Sequence, residues 1–220
     1  IMALTKFNFN SFDVTSAANK GLGFNASANG FSTIDPGAMT LIKTLTASSS
    51  ANLTFTHGSS DVVLNNTYPI YVFKFINIHP ESNSKVLRMN GSIDDSNFNV
   101  AKTTTQIEVY NEINDASRGL QYRTDTDLAN ATTGHTISTS VGNGNDESCS
   151  GFFYLFNPAS TTFQKHFFSR VQGHHGSDYS IEFVNSGLFN TTSAITSIQF
   201  SMSSGNIDSG TIKLYGVSDS

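Results

Sequence analysis

The pattern of apolar and polar positions is organised around residues 69–80, PIYVFKFINIHP, the longest apolar run in the chain, bounded by proline at both ends. Ile70, Val72, Ile76 and Ile78 alternate with Tyr71, Phe73 and Phe75, the two-residue period of a β-strand rich in β-branched and aromatic residues. A strand that is apolar on both faces needs cover on both sides, which places it centrally in a sheet. Lys74 interrupts the aliphatic face and reads as a lysine that snorkels out at a sheet margin.

Shorter runs follow the same period. Ala3–Phe9 reads as a short first strand, and the Asn-, Ala- and Gly-rich residues 13–37 as a surface loop or extended arm. Residues 39–46 and 52–57 are expected to form a hairpin, and Val86, Leu87 and Met89 to open the strand that returns from the central one. Residues 90–105 read as a long loop, and residues 106–110 as a strand with Ile107 and Val109 on one face. The irregular stretch 111–147 holds a short strand at residues 136–141. Residues 149–156, with Phe152, Phe153, Tyr154, Leu155 and Phe156, form a second well-buried strand. Residues 163–171 pair back on it, Gly173–Gly176 turn the chain, and residues 179–184, 195–202 and 211–217 complete the set. Roughly ten strands at short intervals and no helix predict an all-β fold, an antiparallel β-sandwich of jelly-roll-like form. A parallel β-helix would need a fixed short repeat, and none is present. Residues 1–37 are expected to be an N-terminal strand and arm packed on the domain formed by residues 38–220.

Composition narrows the function classes. The net charge of −5 supplies no basic footprint for nucleic acid. No segment approaches the roughly 18 apolar residues of a membrane span, and the opening IMALTKFNF lacks the charged and apolar regions of a signal peptide, so neither membrane insertion nor secretion is expected. Cys149 is the single cysteine, so no intrachain disulfide can form, and it reads as a small buried hydrophobe. With 18 Phe and 7 Tyr, aromatic rings must fill much of the core, while Ser and Thr make up roughly a quarter of the chain and leave an uncharged polar surface.

Four stretches resemble small virion proteins of tailed phages, especially marine ones, commonly described as tail-fibre, tail or structural proteins. They are Met2-Ala3-Leu4-Thr5-Lys6-Phe7, Ile76-Asn77-Ile78-His79-Pro80, the block from Gly142-Asn143 through Glu147-Ser148 to Asn157-Pro158, and the most specific, Ser204-Gly205-Asn206-Ile207-Asp208-Ser209-Gly210-Thr211-Ile212-Lys213-Leu214-Tyr215-Gly216. The similarity runs from about Gly37 onward. It implies a jelly-roll-like sandwich located in the virion, with other virion proteins as partners, a homo-oligomer (a trimer) and no catalytic residue. Where relatives carry Asp-Gly-Gly, this chain has Asn90-Gly91-Ser92-Ile93-Asp94-Asp95, a diverged loop of the kind that makes contacts. The expectation is a non-enzymatic tail-fibre or appendage module for host attachment, with a capsid-decorating protein and a carbohydrate-binding module as alternatives.

The candidate chemistry is sparse, and no cofactor or functional metal is expected. His166, His174 and His175 are the residues that would supply metal ligands; neighbours on a strand point to opposite faces, so His174 and His175 converge only from a turn. Asn143, Asn145, Asp146 and Glu147 offer oxygens without the alternation of a calcium loop. Asp94 with Asp95, and Asp125 with Asp127, are the carboxylate pairs that sugar hydrolysis would need, in loops that read as solvated. A host-surface glycan is the more substantial ligand class, with Tyr110, Tyr122, Tyr154 and Tyr179 as stacking platforms in a chain without tryptophan.

Overall fold

The structure is a computed structural model that describes Val14, residues 21–34 and residues 37–218; the strand expected at Ala3–Phe9 lies outside the described residues. The described strands are β1 (Gly21–Phe24), β2 (Phe31–Ile34), β3 (Met39–Thr46), β4 (Leu53–Thr56), β5 (Ile70–Pro80), β6 (Lys85–Ser92), β7 (Lys102–Glu112), β8 (Arg118–Tyr122), β9 (His135–Val141), β10 (Cys149–Phe156), β11 (Lys165–His175), β12 (Tyr179–Phe189), β13 (Ser197–Met202) and β14 (Ile207–Val217). The expected antiparallel β-sandwich is present, and none of the described residues is helical. A broad sheet runs β3-β14-β5-β10-β11-β12-β7-β8, and a narrow one runs β9-β6-β13-β4. They join through one pairing, Val141 with His175.

The apolar run becomes β5, near the middle of the broad sheet, paired with β10 and β14. Tyr71, Phe73 and Phe75 fill the space between the sheets, and Val72 on the opposite face is buried as well. Strict alternation fails at Asn77, whose φ of 49° marks an irregularity in the pairing with both neighbours. The shift turns Ile78 into the core, contrary to its expected place beside Ile70 and Val72. Gly210 makes room for this bend: it has a φ of 114°, and a Cβ there would lie 2.4 Å from the Asn77 carbonyl oxygen. Lys74 is half-buried, its Nζ 4.9 Å from the centre of the Tyr215 ring, so the lysine lies along the sheet and is not a buried charge.

Several local expectations are corrected. Residues 39–46 and 52–57 do not form a hairpin: β3 pairs with β14 at the end of the broad sheet, and β4 pairs with β13 at the end of the narrow one. The strand after β5 likewise does not return beside it, because β6 crosses to pair with β9 and β13. Both cross-overs follow from burial, since the apolar faces of consecutive strands are satisfied from opposite sides of one core. The loop expected at residues 90–105 is shortened at each end by β6 and β7, and β8 lies within the stretch read as irregular. Residues 173–175, expected to turn, are the last three of β11, with the turn moved to Gly176–Asp178. Within the presumed arm, β1 and β2 form a separate two-stranded sheet in which Phe24 stacks on Phe31 at 5.2 Å.

The core has two chemically different ends. At one end, Phe200 of β13 meets Phe73 and Phe75 of β5 at 5.3 and 5.1 Å, Phe153 of β10 at 6.1 Å and Phe55 of β4 at 6.4 Å. At the other end, the inward positions of β7 are Lys102, Thr104, Gln106 and Glu108, all buried, while Ile107 and Val109 face outward. The polar groups bond across the sandwich: Gln106 Nε2 donates to the Thr136 carbonyl and Asn185 Nδ2 to the Ile137 carbonyl, both at 3.3 Å. His135 is fully buried 5.5 Å from the Phe167 ring, and neither ring nitrogen has a hydrogen-bond partner.

Two outcomes are expected. Phe200→Ala removes the ring that ties four others together and should lower unfolding free energy by about 3–5 kcal/mol in urea titration; a loss below about 1 kcal/mol would show that the aromatic cluster does not hold the sheets. His135 should make the fold acid-sensitive. Burial, and secondarily the Lys102 charge, pull its pKa from 6.5 down to about 3. Between those values the unfolded chain binds a proton that the folded chain refuses, so stability falls as pH drops through that window, by up to about 1.4 kcal/mol per pH unit. The urea midpoint of His135→Leu should change less between pH 6.5 and 4 than that of the wild type; equal changes would remove His135 from this account.

Candidate functional site

A cleft of about 460 Å³ opens at the polar end of the sandwich, between the inner face of β7, β8 and β12 and the Thr139–Ser140 end of β9. Tyr110 on β7 and Tyr179 on β12 form one wall, their rings edge to face at 5.8 Å. His175, at the end of β11, packs on Tyr179 at 5.3 Å, and its Nδ1 accepts the backbone N–H of Ser177 at 3.0 Å. Burial, as the larger effect, holds the His175 pKa below its ordinary value, while Glu108 pulls the other way. The hydroxyl end of the Tyr110 ring lies over Gly119 of β8, where a Cβ would come within 3.0 Å of it. A glycine opposite Tyr110 is therefore part of the site's construction.

The cleft floor carries a fixed charge pair. Glu108 is buried on β7 and accepts from the Arg123 guanidinium and, at 2.8 Å, from Gln121 Nε2. Arg123 also clasps Asp125 with two hydrogen bonds of 2.8 and 2.7 Å, which lower the Asp125 pKa to about 2. The remaining lining is Ser117, Thr139, Ser140, Ser177 and Ile181. Two aromatic faces, hydroxyls, an amide and a guanidinium already held by two carboxylates suit a polyhydroxylated ligand.

The structure divides the expected tyrosines. Tyr110 and Tyr179 come together, whereas Tyr122 faces the opposite side of the sheet beside Ile107 and donates to Asp127 at 2.7 Å. Tyr154 lies outside the cleft, stacked on Phe168 at 4.7 Å. The strand period of β7 could have separated Tyr110 from the Ile107 and Val109 face; Gln121 and Arg123 gave no such signal because β8 was not recognised.

The histidines do not form one site. His166 pairs with Leu188 and His174 with Ser180, eight residues apart along β11, which is roughly 26 Å at about 3.3 Å per residue. His174 instead lies with Glu147 and Asp178, whose ligand atoms all fall within 4.8 Å of one another. His174 Nδ1 is 3.1 Å from Glu147 Oε1, off the line of a hydrogen bond, and Glu147 also accepts the Gly144 N–H at 2.5 Å. This arrangement sets His174 of β11 against the Gly142–Glu147 turn. The carboxylate pairs are occupied locally. Asp94 accepts from Ser92, Ser96 and Asn97, which hold its pKa well below the carboxylate range, and Asp95 accepts from the Thr196 and Ser197 hydroxyls.

Removing the guanidinium should show how much the cleft floor depends on it. Arg123→Met leaves Glu108 buried without its counter-charge and is expected to cost about 3–5 kcal/mol of stability in urea titration; a cost under about 1 kcal/mol would mean that Glu108 is solvated from the cleft. Among the described residues, no helix is long and apolar enough to cross a membrane. No protein-family profile, curated protein or solved structure matches the chain.

Proposed function

We propose that the chain is a non-enzymatic attachment module of a phage particle, whose sandwich holds the Tyr110–Tyr179 cleft toward a host-surface saccharide. The observation that carries the ligand class is the edge-to-face tyrosine pair in a cleft lined by hydroxyls and an amide. Aromatic faces bury the C–H side of a sugar ring, and side-chain oxygens and nitrogens exchange hydrogen bonds with its hydroxyls. The assignment to a virion rests on the sequence resemblance of residues 204–216 and the other quoted stretches.

A second observation supports incorporation into an assembly. The outward face of β7, β8 and β12 carries Ile107, Val109, Leu120 and Val184, all substantially exposed and joined by cross-strand pairings. An apolar strip of this kind suits contact with other virion proteins or further copies of the chain, the trimer being the expected order. A capsid-decorating protein would use the strip without the cleft; a free carbohydrate-binding module would use the cleft without the strip.

A glycan array probed with wild type, Tyr110→Ala and Tyr179→Ala tests the reading. The wild type should retain a defined saccharide class, and each variant should lose at least about tenfold in affinity while unfolding cooperatively in urea. No retained glycan, or retention unchanged in both variants, would overturn the cleft as the binding site. Light scattering of the wild type at high concentration separates the alternatives, with a monomer contradicting the assembly role.

A further inference from the structure

Lys102 is an anomaly of the polar end. It is fully buried, and it forms no ion pair with any carboxylate among the described residues. Its Nζ donates instead to two neutral oxygens, the Val100 carbonyl at 2.7 Å and the Asn90 side-chain Oδ1 at 2.5 Å. The Phe189 ring covers it at 5.8 Å and also presses on Gly91, where a Cβ would lie 2.7 Å from a ring carbon. An ammonium sealed under a phenyl ring without a counter-charge is costly in its charged form. Burial pulls its pKa down to about 8, so about a tenth is free amine at pH 7.

The Asn90 carboxamide is held as an electrophile. Its Oδ1 accepts the Gly91 backbone N–H at 3.2 Å in addition to Lys102. Its Nδ2 donates to the Thr132 carbonyl at 3.4 Å, which fixes the amide so that the carbonyl end faces the lysine. We propose that Lys102 and Asn90 join in an intramolecular isopeptide bond that ties β7 to β6 across the polar end of the sandwich.

The reaction balances without any co-reactant. The Nζ lone pair attacks Asn90 Cγ, and the negative charge developing on Oδ1 falls on the Gly91 N–H, a single-donor oxyanion site. Collapse of the tetrahedral species breaks the Cγ–Nδ2 bond, and the proton given up by Nζ leaves with Nδ2 as ammonia. A secondary amide replaces an amine and a primary amide, and the buried charge is eliminated. Proximity and exclusion of water favour this step over hydrolysis. Lys165 is an internal control: it is also fully buried, but its Nζ meets the Thr191 backbone carbonyl at 3.3 Å and no side-chain amide.

The sequence makes the test direct. No lysine or arginine lies between Arg88 and Lys102, and the next one after Lys102 is Arg118. Trypsin therefore releases residues 89–102 and 103–118 separately from an unlinked chain. An acylated Lys102 resists cleavage, so the linked chain yields one peptide of residues 89–118, lighter by one ammonia (about 17 Da). The intact folded protein should show the same loss, and Lys102→Met and Asn90→Ala should each abolish it. Recovery of residues 89–102 at unmodified mass from folded protein incubated at pH 8 would overturn the proposal. So would an ammonia loss that persists in Lys102→Met, since that marks cyclisation of Asn90 onto Gly91. Because the first measurement is made on the wild type, the result does not depend on the variants folding, nor on whether the cleft binds a saccharide.

Discussion

The contact on which the rest depends is Phe200 against the rings of β5 and β10. It is the place where the narrow sheet grips the broad one. The chain has one cysteine, so no disulfide staples the layers, and at the polar end buried Ile137, Phe183 and Phe189 share the interior with hydrogen-bonded polar groups. Phe55, Phe73, Phe75, Phe153 and Phe200 therefore act as the inter-sheet adhesive, and Phe153 continues through Phe167 to Phe189 at 5.3 and 5.2 Å. Large rings in edge-to-face contact fill a wide space with few rotatable bonds, which suits a fold whose strands approach from two separate sheets.

Once the aromatic end is closed, the opposite end is free to be polar. There the inward face of β7 carries Lys102, Thr104, Gln106 and Glu108, each of which must find a polar partner. Glu108 finds Arg123 and Gln121, and Gln106 finds Thr126 and the Thr136 carbonyl. Lys102 finds only neutral oxygens. The tyrosine cleft occupies the end of the same face. The cost of a polar interior and the chemical opportunity of the molecule thus have one origin, the inverted pattern of a single strand.

How much of this was legible can be judged residue by residue. The period of β5 and β10 gave the all-β sandwich, but cover on both faces did not follow: Val72 is buried on the outer face, whereas Ile76 is exposed and Phe152, Tyr154 and Phe156 are only partly buried. Pairing partners were not legible: β3 and β4 are adjacent in sequence with a short Ser-rich link, yet the core draws them to opposite layers. β7 misleads by orientation, since Ile107 and Val109 look like a core face and point outward. Asn77 shows the limit of strict alternation, as one residue in the left-handed region moves Ile78 across the sheet. Of the candidate site, Tyr110 and Tyr179 could be named as aromatics, but their meeting depends on the register of β7 with β12, which places Ile181 opposite Tyr110. His174 and Glu147 were visible singly, Asp178 was not singled out, and their convergence depends on how the Gly142–Glu147 turn folds back on β11.

The central claim is that an aromatic clamp closes one end of the sandwich and a polar, less tightly held interior the other. Native-state hydrogen exchange of backbone amides measures this directly. Amides of β5, β10 and β13 should exchange only through global unfolding, with those of β7 and β8 opening at lower free energy. Equal protection across both ends, or faster exchange in β5 and β13 than in β8, would contradict it.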